Sequence, residues 1–202
     1  MKIIGITGVI GSGKSTVADI MAEMGATVLN TDKLGHEVLL PHSEGWREVI
    51  ARFGEQILSP DGSINRKKLG EIVFNNSETL NQLNQITHPK IYKILKEKLE
   101  EYQRQGKSVV VIEAALLLEA GWVSLVDEIW VTIAPEATIL QRLSERSGMP
   151  RAESLIRIRS QLSPEEQIGQ AKGVIDTDCS LDKLKENVKD LWQRMILDTP
   201  PS

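Results

Sequence analysis

The run Gly8-Val9-Ile10-Gly11-Ser12-Gly13-Lys14-Ser15 satisfies every fixed position of the pattern G-x-x-x-x-G-K-[ST], and no other feature restricts the fold as tightly. Glycines there let the backbone curl until successive N–H groups point inward at an anion, with no Cβ in the way. Such a loop works only between a strand and a helix. Both are expected here. Lys2 to Thr7 reads as a strand, and Val17, Ile20, Met21 and Met24 share one face of a helix that Gly25 can end. The N-terminus of that helix adds partial positive charge toward the same anion. The pattern therefore predicts nucleoside triphosphate binding by Gly8, Gly11, Ser12, Gly13, Lys14, Ser15 and Thr16. Lys14 would stand against the β- and γ-phosphates, Ser15 would be a Mg²⁺ ligand, and Thr16 would lie near the α-phosphate.

Apolar stretches of strand length alternate with longer stretches of helical period, the pattern of an α/β domain with a parallel sheet. Thr27 to Asn30, Ser108 to Glu113, Glu128 to Ile133 and Gly173 to Asp176 read as further strands. Four consecutive β-branched residues, Val109 to Ile112, mark one of them as buried on both faces. From about Leu34 to Gly106 lies a long insertion, helical in pattern. Within it Pro89 is expected to open a helix whose stripe is Ile91, Leu95, Leu99 and Tyr102, with Gly106 as its stop. A second helical, charge-rich excursion covers about Thr138 to Gln170. Leu181, Leu184, Val188, Leu191, Trp192 and Met195 should dock a last helix on the sheet, and Thr199 to Ser202 reads as a frayed tail. The expected organisation is one domain over 1–202: a core (about 1–33, 107–137 and 171–198), a helical insertion (about 34–106) and a lid (about 138–170).

At 202 residues the chain can bury one substantial core. A formal charge of −4 argues against an overall pull toward nucleic acid or an acidic membrane, so a phosphorylated substrate needs a local basic cluster. The single Cys179 allows no intramolecular disulfide and no cysteine cluster for a metal. The N-terminus reads as neither signal peptide nor membrane span, which makes a cytoplasmic location the default.

Kinases share the phosphate loop with switches and motors. A guanine-nucleotide switch carries an N/T-K-x-D element after a later strand, and none is present. Asp32 follows the second strand, at the carboxyl edge where ligands sit in open α/β folds. It can orient an acceptor hydroxyl, accept its proton or hold water on Mg²⁺, or it can simply cap a helix starting near Leu34. Glu113 ends the most hydrophobic strand, where an acid can reach the metal, and Glu119 follows it; either can equally be a solvated loop acid. Arg142 and Arg146 share a helical face, and with Arg151, Arg157 and Arg159 they read either as a lid neutralising the transferring phosphoryl group or as ordinary surface charge. Beside Pro89, His88 reads on its own as a structural histidine.

Taken together these residues resemble the dephospho-coenzyme A kinases nearly end to end. Asn30-Thr31-Asp32-Lys33 is similar to that family's D-A-D segment, with Asp32 at the position of the catalytic acid/base. More specific is Gly62-Ser63-Ile64-Asn65-Arg66-Lys67-Lys68-Leu69, followed by Val73-Phe74 and Leu83-Asn84-Gln85-Ile86-Thr87-His88-Pro89. This resembles "G-x-[IL]-[DN]-R-x-x-L … F … L-x-x-I-x-H-P" in the family's coenzyme-binding helical domain. Glu113 to Glu119 is similar to "D-x-P-L-L-F-E", with Glu113 for Asp and Ala115 for Pro. Arg142, Arg146 and Arg157-Ile158-Arg159-Ser160-Gln161 are similar to the lid. Where the family commonly has Asn-x-Gly, this chain has Thr177-Asp178-Cys179, so the resemblance assigns no adenine contacts there.

The resemblance implies a P-loop kinase fold with a parallel five-stranded sheet flanked by helices, a helical substrate-binding insertion and an arginine-bearing lid. It implies transfer of the ATP γ-phosphate, with Mg²⁺, to the ribose 3′-hydroxyl of dephospho-coenzyme A. The implied catalytic residues are Asp32, Lys14 and Arg142; Arg142 and Arg146 join the loop in holding ATP, and Asp32, Arg66, His88 and Glu113 face the acceptor. No nucleic acid or membrane partner is implied, and the assembly is expected to be a monomer or small homo-oligomer. Two rivals remain. A kinase for another small acceptor leaves the stretch from Arg66 to Pro89 unexplained, and a non-catalytic ATP sensor need not keep Lys14, Ser15, Asp32 and the arginines together.

Overall fold

The computed structural model describes residues 1–197, so position 198 and the expected frayed tail at Thr199 to Ser202 lie outside the described residues. The chain divides into two compact units, Met1–Leu29 with the chain from Gly106 onward, and Asn30–Gln105.

The first unit is built on a sheet of five strands in the order β2-β3-β1-β4-β5. These are β1 (Lys2–Thr7), β2 (Thr27–Asn30), β3 (Val109–Glu113), β4 (Glu128–Ile133) and β5 (Gly173–Asp176). β1 pairs in parallel with β3 and β4, and β4 with β5. Because the strands run the same way, the turns after β1, β3, β4 and β5 all leave from one edge. All the expected strands form; only Ser108 falls outside, its carbonyl accepting from Lys2 N at 2.8 Å.

Helix α1 (Lys14–Glu23) follows the glycine run, and Gly25, at φ 100°, turns the chain after it. It lays Val17, Ala18, Ile20 and Met21 on the sheet, and α9 (Leu181–Leu197) adds Leu184, Val188, Trp192 and Met195. Between them lie Ile4, Ile6, Val111, Trp130 and Ile175. Each buried Val, Leu, Ile or Met among these contributes about 1.5–3 kcal/mol. The basic excursion forms α6 (Glu136–Ser147), α7 (Arg151–Arg159) and α8 (Pro164–Ile168). Ile139 and Leu143 of α6 pack with Val9, so this helix is fixed beside the phosphate loop.

The second unit holds α2 (Thr31–Val38), α3 (Glu44–Phe53), α4 (Arg66–Val73) and α5 (Ser77–Arg104). Val49, Phe53, Ile57, Ile64, Leu69 and Val73 form its core. Here the expected helix start at Pro89 is corrected: Pro89 lies inside α5, which begins twelve residues earlier under an Asn76 cap. Leu83 and Ile86 pack on the core ahead of the proline, and Ile91, Leu95 and Leu99 are buried after it. Burial of one continuous face thus outweighs the single backbone bond that proline removes. Among the described residues, no helix is long and apolar enough to cross a membrane.

Candidate active site

In the first unit the loop between β1 and α1 has the strain that its glycines are there to absorb. Gly8, Gly11 and Gly13 sit at φ 145°, 82° and 90°, where side chains are disfavoured. A Cβ on Gly8 would also lie 2.5 Å from the Thr132 carbonyl oxygen. The Ser12 hydroxyl is fully buried and bonds the Thr132 hydroxyl at 2.6 Å, which in turn donates to Thr7 O at 3.2 Å. Ser12 therefore braces the loop against β4 and offers an anion only its backbone.

Lys14 bends back over the loop, and its Nζ donates to Gly8 O at 2.9 Å and Val9 O at 3.1 Å. Ser15 Oγ donates to Glu113 Oε1 at 2.5 Å. Glu113 is buried at the end of β3, beside β1, so the sheet delivers a carboxylate to the helix that starts the phosphate site. α1 has no acidic residue in its first turn and no side-chain cap, which leaves its N-terminal field directed at a ligand. Glu119 has a different use: its Oε1 accepts from Leu162 N at 2.8 Å.

Beside the first turn of α1 opens a cavity of about 200 Å³, lined by residues that include Gly13, Thr16, Arg142, Thr177, Cys179 and Leu181. Thr177 is its hub. The Thr177 hydroxyl donates to Ser12 O at 2.8 Å and accepts from Arg142 Nη1 at 2.9 Å, while Arg142 Nη2 donates to Thr177 O at 2.7 Å. The segment to which the resemblance assigned no adenine contacts, Thr177-Asp178-Cys179, supplies Thr177 and Cys179 to the cavity wall. No local pattern signals this, because Thr177 meets Ser12 only through the β4–β5 pairing. Arg146 is exposed one turn beyond Arg142, Arg157 pairs with Glu153 at 2.7 Å, and Arg151 and Arg159 are exposed.

In the second unit Asp32 occupies the first turn of α2, exposed. The capping alternative for it falls, because Asn30 Oδ1 takes that place, accepting from Lys33 N at 3.0 Å. One turn later on α2 stands His36, which the motifs did not single out. Burial and then the positive charge of Arg66 lower its pKa, with Asp32 pulling the other way. Asp32, His36 and Arg66 thus share one electrostatic neighbourhood. Arg66 is set by the segment before it. Asp61 and Gly62 turn the chain, Asn65 N donates to Ile57 O at 2.7 Å, and Asn65 Oδ1 caps α4 through Lys68 N at 3.1 Å. The motif from Gly62 to Leu69 is therefore a turn, a buried Ile64, a cap, an outward arginine and a buried Leu69. His88 is half-buried on α5, and burial lowers its pKa.

The family model described as dephospho-CoA kinase matches residues 2–183. A dephospho-CoA kinase of Dehalococcoides mccartyi is 46% identical over 190 residues, covering 94% of this chain and 95% of that protein. One from Carboxydothermus hydrogenoformans is 43% identical over 194 residues, covering 96% and 94%. Among solved structures, dephospho-CoA kinase from Campylobacter jejuni superposes with a TM-score of 0.69 at 28% identity, covering 96% of this chain and 98% of that one.

Proposed function

The chain belongs to the dephospho-CoA kinase family, and on that premise we propose how its residues divide the transfer of the ATP γ-phosphate to the ribose 3′-hydroxyl of dephospho-coenzyme A. The products are coenzyme A and ADP. Such transfers ask little covalent chemistry of a protein; placement and charge do most of the work. The observation that carries the reading is the Ser15–Glu113 pair at the foot of an uncapped helix, under a loop held by three positive-φ glycines.

The backbone of Gly8 to Thr16 takes the triphosphate, and Lys14, already held within the loop, supplies a fixed positive charge to it. The cavity walled by Thr16, Arg142, Thr177 and Cys179 takes the nucleoside end, with Arg142 held by its two bonds to Thr177. Arg142 then stands at the base end, and Arg146 with the α7 arginines is left to answer charge on the transferring group. A hydroxyl and a carboxylate oxygen suit Mg²⁺, a hard cation that keeps water and phosphate as further ligands. Ser15 would hold the ion and Glu113 would steady its water; bound there, it supplies positive charge to the polyphosphate.

Asp32 orients the 3′-hydroxyl and accepts its proton as the new O–P bond forms. The bond from the γ-phosphorus to the bridging oxygen breaks, and its electron pair leaves on ADP. Arg66 and His88 hold the acceptor. The core, insertion and lid act as one kinase domain, in the cytoplasm, as a monomer or small homo-oligomer without nucleic acid or membrane.

The test offers ATP and Mg²⁺ with a panel of hydroxyl acceptors and locates the new phosphate by mass spectrometry and NMR. Dephospho-coenzyme A should be the preferred acceptor, phosphorylated at the ribose 3′ position. Preferred turnover of a nucleoside monophosphate, or a phosphate elsewhere on the coenzyme, would defeat the reading.

A further inference from the structure

One peptide group of the phosphate loop, between Val9 and Ile10, is gripped from both sides. Its carbonyl accepts from Lys14 Nζ at 3.1 Å and from Ser12 N at 3.1 Å. Its N–H, on Ile10, donates to Gln161 Oε1 at 2.8 Å. The other half of the same carboxamide is also used, with Gln161 Nε2 donating to Ala115 O at 3.1 Å, two residues beyond Glu113. Leu162 N donates to Glu119 Oε1 at 2.8 Å, and Leu162 O accepts from Gln167 Nε2 at 2.9 Å. Residues 161–162, just past the arginine-bearing α7, are therefore tied to the phosphate loop and to the segment that follows the Ser15 partner Glu113.

We infer that Gln161 is a positioning residue for phosphoryl transfer, one that sets the direction of the Val9–Ile10 peptide and through it the seat of Lys14. The chemistry of the side chain fits this use. A carboxamide offers one acceptor and one donor in a fixed plane, and here they meet an N–H of one loop and a carbonyl of another. Glutamate would turn the donor into a second acceptor facing Ala115 O, leucine would lose both bonds, and asparagine is a methylene too short. The packing of the loop does not need Gln161, because Val9 is held by Ile139 and Leu143. What Gln161 adds is direction: with Ile10 N–H released, the peptide can rotate, and one of the two carbonyls that hold Lys14 turns with it. The same bond makes the placement of α7 and its arginines depend on the state of the loop.

This inference rests on the loop being the triphosphate seat, and the experiment separates the two. Gln161→Leu, Gln161→Glu and Lys14→Ala are compared with the parent for kcat, both KM values, binding of a fluorescent ATP analogue, and amide exchange at Ile10 by NMR. In Gln161→Leu, kcat should fall about 10-fold, Ile10 exchange should speed up by a similar factor, and KM for dephospho-coenzyme A should stay within about twofold. Gln161→Glu keeps the Ile10 bond, so Ile10 should remain protected and kcat should fall less than in Gln161→Leu. If Gln161→Leu does not fold, Gln161→Asn replaces it with the same expectation. Wild-type kcat in the leucine or asparagine variant, or a kcat loss with Ile10 exchange unchanged, overturns the inference. Retained analogue binding by Lys14→Ala would instead overturn the triphosphate assignment.

Discussion

A methyl group at Gly8 would meet the carbonyl oxygen and hydroxyl of Thr132 at 2.5 Å, at a φ of 145° that L side chains rarely adopt. Gly8→Ala should therefore lower stability by about 1–3 kcal/mol, seen as a reduced denaturant midpoint, and ATP-analogue binding should weaken with it. A midpoint equal to the parent's would show that the loop is not held against β4 as described. The glycine run was legible because its spacing reports directly what the backbone has to do. Thr177 was not: its bonds to Ser12 and Arg142 span 165 and 35 positions, and they exist only because β5 lies beside β4. His36 escaped notice for a similar reason. The Arg66 charge that acts on it comes from a different helix, thirty positions along the chain.

At the scale of elements, two asparagines begin the helices that carry the residues proposed for the acceptor side, Asn30 for α2 and Asn65 for α4. Asn65→Ala should cost about 1 kcal/mol of stability while Asn65→Asp stays near neutral, and chemical denaturation would measure both. Strands were readable nearly to the residue because runs such as Val109 to Ile112 have only one comfortable environment. α5 was read too short because a proline usually marks a helix start, whereas here the buried face runs past it from Leu83 to Leu99. His88 lies on that helix, its pKa lowered by burial. The unfolded chain then takes up the proton first as pH drops below about 6.5, so stability declines from there down through the lowered folded value. His88→Gln should flatten the stability profile below about pH 6.5; an unchanged slope would mean that His88 is not shielded.

Over the first unit as a whole, the two edges of the sheet do different work. The carboxyl edge carries the phosphate loop and Glu113, and the amino edge carries an ion cluster around the buried Glu128 that holds the strands in place. Glu128 Oε1 accepts from Lys2 and Lys172 at 2.9 Å each, and Oε2 accepts from Trp130 Nε1 at 3.3 Å. Burial alone opposes ionisation of Glu128, but the bonds from Lys2, Lys172 and Trp130 outweigh it and lower its pKa. The stabilisation is present above the unfolded glutamate value and is lost as pH falls through the lowered folded one. Because Lys172 is half-exposed, Glu128→Gln should cost only about 1–2 kcal/mol at neutral pH, and the variant should lose less stability than the parent on acidification. The parallel sheet and its flanking helices were legible in the alternation of apolar runs. This cluster was not, since Lys2, Glu128 and Lys172 become neighbours only when three strands share one edge.

The central claim, that Asp32 activates the acceptor while the glycine loop holds ATP, is tested most directly by single-turnover transfer from ATP to dephospho-coenzyme A in Asp32→Asn, with ATP affinity measured in parallel. ATP affinity should stay within about threefold of the parent while the transfer rate falls by about 100-fold or more. A transfer rate close to the parent's would contradict the account.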